Sequence, residues 1–512
     1  MIHFKIWRDA RDITDPKEYA TTGYDRPSMR KCWEFLDRAS RSFAMVIKEL
    51  EGDLARTVCI FYLVLRACDT LEDDMTLPNS VKLPMLRSLY LKLHEPGWNF
   101  DGSGPNEADR MTLAEFDVIQ KEFSMLDERY QLVIEDICMK MGRGMADFAA
   151  LATPEKPVAE INTMADYDLY CHYVAGLVGE GLSGIFAASG KERAFIANQL
   201  TLSNSMGMIL QKTNILRDVK EDVEEGRGFW PRAIWGKYGF DSMKELLDPT
   251  REKQALFAAS EMTLDALRHA TDSLDYLTLI KNQSVFNFVA IPPVMAIATL
   301  ERCYMNPNVL KKNVKIRRGE TIQLILRATN PRDVALIFRS YARKIHQKTA
   351  RDDPNLLKMS IACGKIEQWT EHHYPSFLQI RMQNGAITTV IDDNSSDGRV
   401  PLYHRISKQI KDKQDEEKRE QWVAQMVDKE IQDLHADWGR YHQIKRRVSG
   451  EGGTTERVRE IEDAQPFPWL IVIGAIVGFI ALIVAISGVV YYLVAVTFKD
   501  VSPSVTNPIR AY

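Results

Sequence analysis

Apolar residues in the first 380 or so positions recur at helical spacing. Leu54, Val58, Phe61, Leu65 and Cys68 step by three or four residues, and Met206, Leu210 and Thr213 do the same. Each set draws one apolar stripe along a helix. No alternation of apolar and polar residues with hairpin turns is evident, nor the strand–helix alternation that a parallel sheet needs. The pattern predicts one large all-α domain.

Beyond it the pattern changes. Asp392 to Gly398 is a turn-rich break, Ile406 to Arg447 is dense in charge with sparse apolar residues, and Ser449 to Gly453 reads as a flexible joint. From Trp469 to Phe498 there is no charged residue, with Trp469, Tyr491 and Tyr492 placed as interfacial aromatics. A bilayer core needs about 20 apolar residues, so this stretch predicts a transmembrane helix. The expected organisation is an N-terminal segment over 1–30, the helical body over 31–380, and a charged linker or tether over 381–465. The span over 466–498 and a tail over 499–512 complete it. The start, Met1 to Arg8, has no secretory signal. A single-pass tail anchor with the body facing the cytosol is therefore expected.

Composition narrows the function. Seventy acidic against 66 basic residues give a net charge of −4, which argues against a nucleic-acid partner. The seven cysteines are scattered without a CxxC pair, as expected of reduced, buried thiols.

Candidate chemistry begins where the first apolar stripe runs into Asp69-Thr70-Leu71-Glu72-Asp73-Asp74. At about 100° per residue, Glu72 continues the meridian of Leu54 and Leu65, with Asp69 and Asp73 on its flank. Carboxylates so placed repel one another and lose hydration, so cations must hold them. Hard oxygen ligands with open positions suit Mg²⁺ bridging to phosphate. The spacing returns in Asp218-Val219-Lys220-Glu221-Asp222, where Gln211, Asn214, Asp218 and Asp222 form a polar stripe. Facing across a bundle, Asp69, Glu72, Asp73, Asp218 and Asp222 would grip a metal–diphosphate. By contrast, Gly179-Glu180-Gly181-Leu182-Ser183-Gly184 matches a dinucleotide fingerprint in letters only. It follows a helical, tyrosine-rich stretch without a βαβ unit, so its small residues are expected to let helices or substrate approach.

The block Tyr62 to Asp74 resembles the first aspartate-rich motif of the squalene synthases. Tyr170 to Gly179, Gln211 to Asp218 and Gln283 to Phe288 are similar to further blocks of that family, over about Lys31 to Tyr341. The resemblance implies an isoprenoid-synthase-type helical bundle and a head-to-head condensation of two farnesyl diphosphates. The product of the first step would be presqualene diphosphate, which NADPH reduces to squalene. It implies Mg²⁺ on the five acids, Tyr170 assisting diphosphate departure or proton removal, and Phe286 and Phe288, with Phe43, facing carbocations. Arg41, Arg66, Arg217, Lys315 and Arg317 would meet NADPH phosphates, although Arg66 and Arg217 sit beside acids and could serve diphosphate. Lys311 to Gly319 resembles a flap that closes over the cofactor. Sterol (ergosterol) biosynthesis, the endoplasmic reticulum membrane and a monomer are implied, and the length is like that of fungal members. The alternatives are a phytoene-type synthase, which stops before reduction, and a tail-anchored tether. The tether needs sustained heptads that Ile406–Arg447 lacks.

Overall fold

The helices expected from the apolar stripes form, and their ends carry recognisable caps. The computed structural model describes residues 11–40, 42–105, 107–151, 160–383, 386–395 and 397–448, and the chain divides into two compact units after Asp397. The principal helices of the first are α1 (Pro27–Ser40), α2 (Ser42–Lys48), α3 (Leu54–Asp73), α4 (Asn79–Lys92), α5 (Glu128–Ala149), α6 (Met164–Cys171), α7 (Leu177–Ala188) and α8 (Leu200–Arg217). They continue with α9 (Val219–Glu224), α10 (Glu252–Leu267), α11 (Ala270–Leu279), α12 (Gln283–Cys303), α13 (Arg318–Arg327), α14 (Pro331–Lys348) and α15 (Leu356–His373). Thr163 and Asp166 form a capping box on α6, and the Asn282 side chain accepts from Ser284 and Val285 at the start of α12.

The core is built around α3, which packs on α4, α5 and α7, while α8 packs on α7, α11 and α12. Along α3, Leu54, Ile60, Leu63, Val64, Ala67, Cys68 and Leu71 are fully buried. All seven cysteines are buried and free. Helix α12 is the one helix among the described residues long and apolar enough to cross a bilayer, and most of it lies inside the core. The expected transmembrane segment 466–498 lies outside the described residues.

Two close approaches bring α8 to the centre. Between α6 and α7 the chain makes a π-helical turn, His172–Gly176, and the Ala175 carbonyl sits where a side chain on Gly207 would be. His172 Nδ1 and Asn204 Oδ1 lie 2.8 Å apart across the same seam. The fingerprint-like glycines lie inside helix α7, where Gly179 faces the Ser203 carbonyl and Gly181 faces Phe61. They serve helix contact, not a phosphate cradle. Deeper still, Lys212 on α8 is fully buried, its Nζ 2.5 Å from both Asp168 of α6 and Asp265 of α10. That three-way ion pair joins the helices carrying Tyr170 and Asp218.

One element departs from the all-helical expectation. Strands β1 (Leu378–Gln383) and β2 (Ala386–Ile391) pair antiparallel, Gln383 opposite Ala386. The Asn384-Gly385 dipeptide between them is the strongest short hairpin signal, overlooked because the strands are brief. In the second unit, α16 (Val400–Val448) is one helix whose described side chains from Pro401 to Lys429 are exposed. The charged stretch is a solvated helix.

The α8 seam is testable. Gly207→Ala should lower stability by about 1–3 kcal/mol because a backbone carbonyl stands in the way. Gly364→Ala on α15 meets nothing within 4 Å and should raise it by up to about 1 kcal/mol. Urea unfolding of both variants checks the pair, and indistinguishable midpoints would contradict the seam.

Candidate functional site

The first acidic motif is the C-terminal end of α3, and the second spans the junction of α8 and α9. The α3 C-terminus, with its partial negative charge, therefore adds to carboxylates already close together, while Asp222 lies in the first turn of α9, where the helix dipole favours an acid. The two motifs meet. Arg227 Nη1 is 3.2 Å from Asp73 and its Nη2 is 3.1 Å from Asp222. Asp73 and Asp222 are thus opposite jaws on one guanidinium.

The jaws are unevenly exposed, Asp222 at 10% and Asp73 at 41%. Burial pushes the Asp222 carboxyl up to about 7, with Asp218 and Asp73 adding to the rise and Arg227 opposing it. Burial likewise takes Asp69 up to about 6, Asp73 reinforcing it and Arg66 resisting it. Glu72 is raised well above the ordinary range by burial and by Asp73 and Asp69. Asp74 behaves differently: burial opposes its ionisation, but hydrogen bonds from Thr76 and the Gly104 N–H outweigh that and lower its pKa. It fixes the turn after α3.

Below the acids is an apolar cavity of about 240 Å³, walled by α2, α3, α7, α8 and α12 with Met141 and Val174. Arg66 and Asp69 line it together with Phe43, Phe61, Tyr62 and Phe288. Phe43 and Phe288 lie 5.2 Å apart between ring centroids. Pro292 and Pro293 interrupt α12, removing the N–H groups that the Phe288 and Val289 carbonyls would accept. Tyr170 is buried, stacked on Phe229 at 5.2 Å and edge-on to Phe148. Burial and the Glu72 and Asp73 carboxylates raise its pKa well above the usual value, so the phenol keeps its proton at neutral pH.

Not every expected residue joins the site. Phe286 is buried but does not line the cavity; two residues from Phe288, it is turned about 200° around α12. Arg66 is held by Asp109 at 2.6 Å and Asp69 at 3.3 Å, and Arg217 by Asp218 at 2.5 Å. Lys315 and Arg317 are exposed and form no ion pair among the described residues. Their segment reaches the second motif through Asn313, whose amide donates to Asp218 at 2.6 Å and Glu221 at 3.1 Å. Arg41 lies outside the described residues.

Sequence reasoning missed Arg227, Lys82 and Phe229. Arg227 is flanked by Gly226 and Gly228, and its N–H closes a 2.7 Å bond to the Asp222 carbonyl. That acid–Gly–Arg–Gly pattern was the available signal. Lys82 of α4 donates to the Glu72 carbonyl at 2.7 Å, capping the α3 terminus, and nothing in local spacing points to it.

Among the described residues no three acidic, histidine or cysteine side chains converge into a closed metal cage. The donors do fit Mg²⁺, which takes one or two carboxylates and completes its shell with water and phosphate oxygen. Arg227 Nε is buried without a hydrogen-bond partner among the described residues, a donor available to an anion.

Comparison with known proteins matches residues 36–320 to the Squalene/phytoene synthase family. Squalene synthase of Ganoderma lucidum is 54% identical over 396 residues, covering 75% of this chain and 85% of that protein. Squalene synthase of Mycosarcoma maydis is 51% identical over 74% of this chain and 68% of its own. For Schizosaccharomyces pombe squalene synthase the figures are 46%, 78% and 85%. A structure of TcSQS with a ligand superposes with a TM-score of 0.65 at 39% identity, covering 68% of this chain and 99% of that one.

The buried acids give a pH test in protein stripped of divalent ions. An Asp222 pKa raised from 3.8 to about 7 means the folded state holds a proton that the unfolded chain releases. Its stabilising contribution is complete below about pH 4 and lost as pH rises through 7. Asp222→Asn should therefore gain stability relative to the parent chain across pH 4–7 and level off above. Thermal melts of the pair check it, and a pH-independent difference would contradict the desolvated jaw.

Proposed function

The chain belongs to the squalene/phytoene synthase family, and from that premise we infer that the acid-rimmed cavity is where its two substrates are joined. The reaction is the condensation of two farnesyl diphosphates to squalene, the step that commits isoprenoid to sterol. One observation carries the placement: Asp69 and Phe288 line the same apolar cavity.

Each group of residues then has a part. Asp69, Glu72 and Asp73 on one side, and Asp218 and Asp222 on the other, would hold Mg²⁺, which would supply positive charge for a departing diphosphate. Arg227, between Asp73 and Asp222, turns its guanidinium to the same anion. Tyr170, protonated and next to the acids, donates to the leaving oxygen. The apolar wall excludes water from the farnesyl cation, and Phe288 and Phe43 turn aromatic faces to it, each contact worth up to about 2 kcal/mol when dry. The second farnesyl chain captures that cation and loses a proton to the Tyr170 phenolate left by that donation, which gives presqualene diphosphate and restores the phenol. NADPH would supply the hydride that ends the sequence as the second diphosphate leaves and the carbon skeleton rearranges to squalene. Lys315 and Arg317, free of acidic partners, are its phosphate contacts, joined by Arg41; Arg66 and Arg217, already paired with acids, set the charge around the diphosphates. Phe286 supports the wall from behind.

The phytoene-type alternative is separated by reduction. With Mg²⁺ and farnesyl diphosphate but no NADPH, presqualene diphosphate should accumulate, and adding NADPH should convert it to squalene. Asp69→Asn or Asp218→Asn should lower the first step by about 100-fold or more with the fold intact by circular dichroism. Near-normal turnover in both variants would refute the metal assignment.

The same reading includes the uncharged segment 466–498 as a tail anchor. It holds a monomer at the endoplasmic reticulum membrane with the catalytic body facing the cytosol. Deleting the residues after Gln465 should give a soluble enzyme of unchanged kcat; a folded but inactive truncation would contradict an anchor without chemistry.

A further inference from the structure

A second cavity, of about 410 Å³, opens between α6, α10, α11 and α15, with no lining residue shared with the catalytic hollow. Its volume is in the range of small-molecule sites. The wall is apolar, formed by Met164, Ile234, Leu264, Ile361, Ala362 and Ile366. The charges around it do not balance. Glu261 is held by Lys237 at 2.8 Å and by the Tyr238 hydroxyl at 2.7 Å. Asp265 is held by Lys212 at 2.5 Å and Arg268 at 3.0 Å, and Arg268 also pairs with Asp168. Those three carboxylates are matched by three cations. Lys358 and Lys365 remain, both lining the cavity, both exposed, and neither in an ion pair among the described residues.

The surrounding surface of α15 is also unusual for a soluble face. Ile361, in the wall, is 60% exposed, and Leu357 beside it is 75% exposed. A slot with apolar sides and two uncommitted ammonium groups at its edge suits one hydrocarbon chain ending in an anion. The head is a simple carboxylate, because the one arginine here has Nε on Asp265 and Nη2, which belongs to both of its donor forks, on Asp168. A phosphate would favour a free guanidinium fork.

We propose that this cavity is a binding site for a long-chain carboxylate, with its chain along Ile361, Ala362 and Ile366 and its head between Lys358 and Lys365. It is separate from the farnesyl sites and needs no metal.

The test uses a photoreactive diazirine palmitate with the full chain in phosphatidylcholine vesicles, followed by peptide mapping. Label should fall on the peptides holding Met164 and Ile361, and excess farnesyl diphosphate with Mg²⁺ should not displace it. The double variant Lys358→Glu, Lys365→Glu should lose about tenfold in labelling while making squalene at the parental rate, which certifies its fold. The matching diazirine hexadecanol should label several-fold less. Equal labelling by the alcohol, full labelling of the active double variant, or displacement by farnesyl diphosphate would each overturn the assignment.

Discussion

Everything around the acid-rimmed cavity rests on negative charge brought together at the edge of an apolar hollow. Asp69, Glu72 and Asp73 end one buried helix, and Asp218 and Asp222 sit where another breaks. Left alone, such a cluster would drive its helices apart. It is tolerated because Arg227 stands between Asp73 and Asp222, Lys82 covers the α3 terminus, and Asp222 and Asp69 keep their protons up to about 7 and 6. In the proposed reaction, the same unfavourable electrostatics would favour divalent ions at the jaws and, through them, diphosphate. Folding stability and ligand affinity are set against each other at these few oxygens.

The cavity below poses the opposite demand. A carbocation of the proposed reaction would need dry, polarisable surroundings and no nucleophile, and the wall from Phe43 to Phe288 is aromatic and aliphatic carbon. The two environments are adjacent because α3 contributes to both: Val58, Phe61 and Leu65 face the cavity, and one turn later Asp69 reaches the acids. A single amphipathic helix thus sets the distance between the acids and the apolar hollow.

Much of this was legible in the chain. The apolar stripes gave the helices, and two acids-on-a-stripe gave the jaws, because both are periodic signals within one element. What escaped lies between elements. Arg227 is five residues past Asp222 on a loop whose glycines were the clue, and Lys82 acts across from another helix. Phe286 and Phe288 look equivalent in sequence and are separated by the rotation of α12. Arg66 and Arg217 look like free bases until Asp109, Asp69 and Asp218 are found against them, whereas Lys315 and Arg317 keep their charge for others. The hairpin at Leu378–Ile391 was written plainly in Asn384-Gly385 and lost only to the brevity of its strands.

The Lys212 ion pair has an evolutionary corollary. Losing either acid leaves Lys212 one carboxylate, whereas replacing Lys212 alone leaves the buried Asp265 to Arg268, at a cost of up to about 3–5 kcal/mol. Exchanging all of them for hydrocarbon of similar volume could be close to neutral. A line of descent that lost Lys212 first would pass through an unstable ancestor, so epistasis constrains the order in which the three can be exchanged.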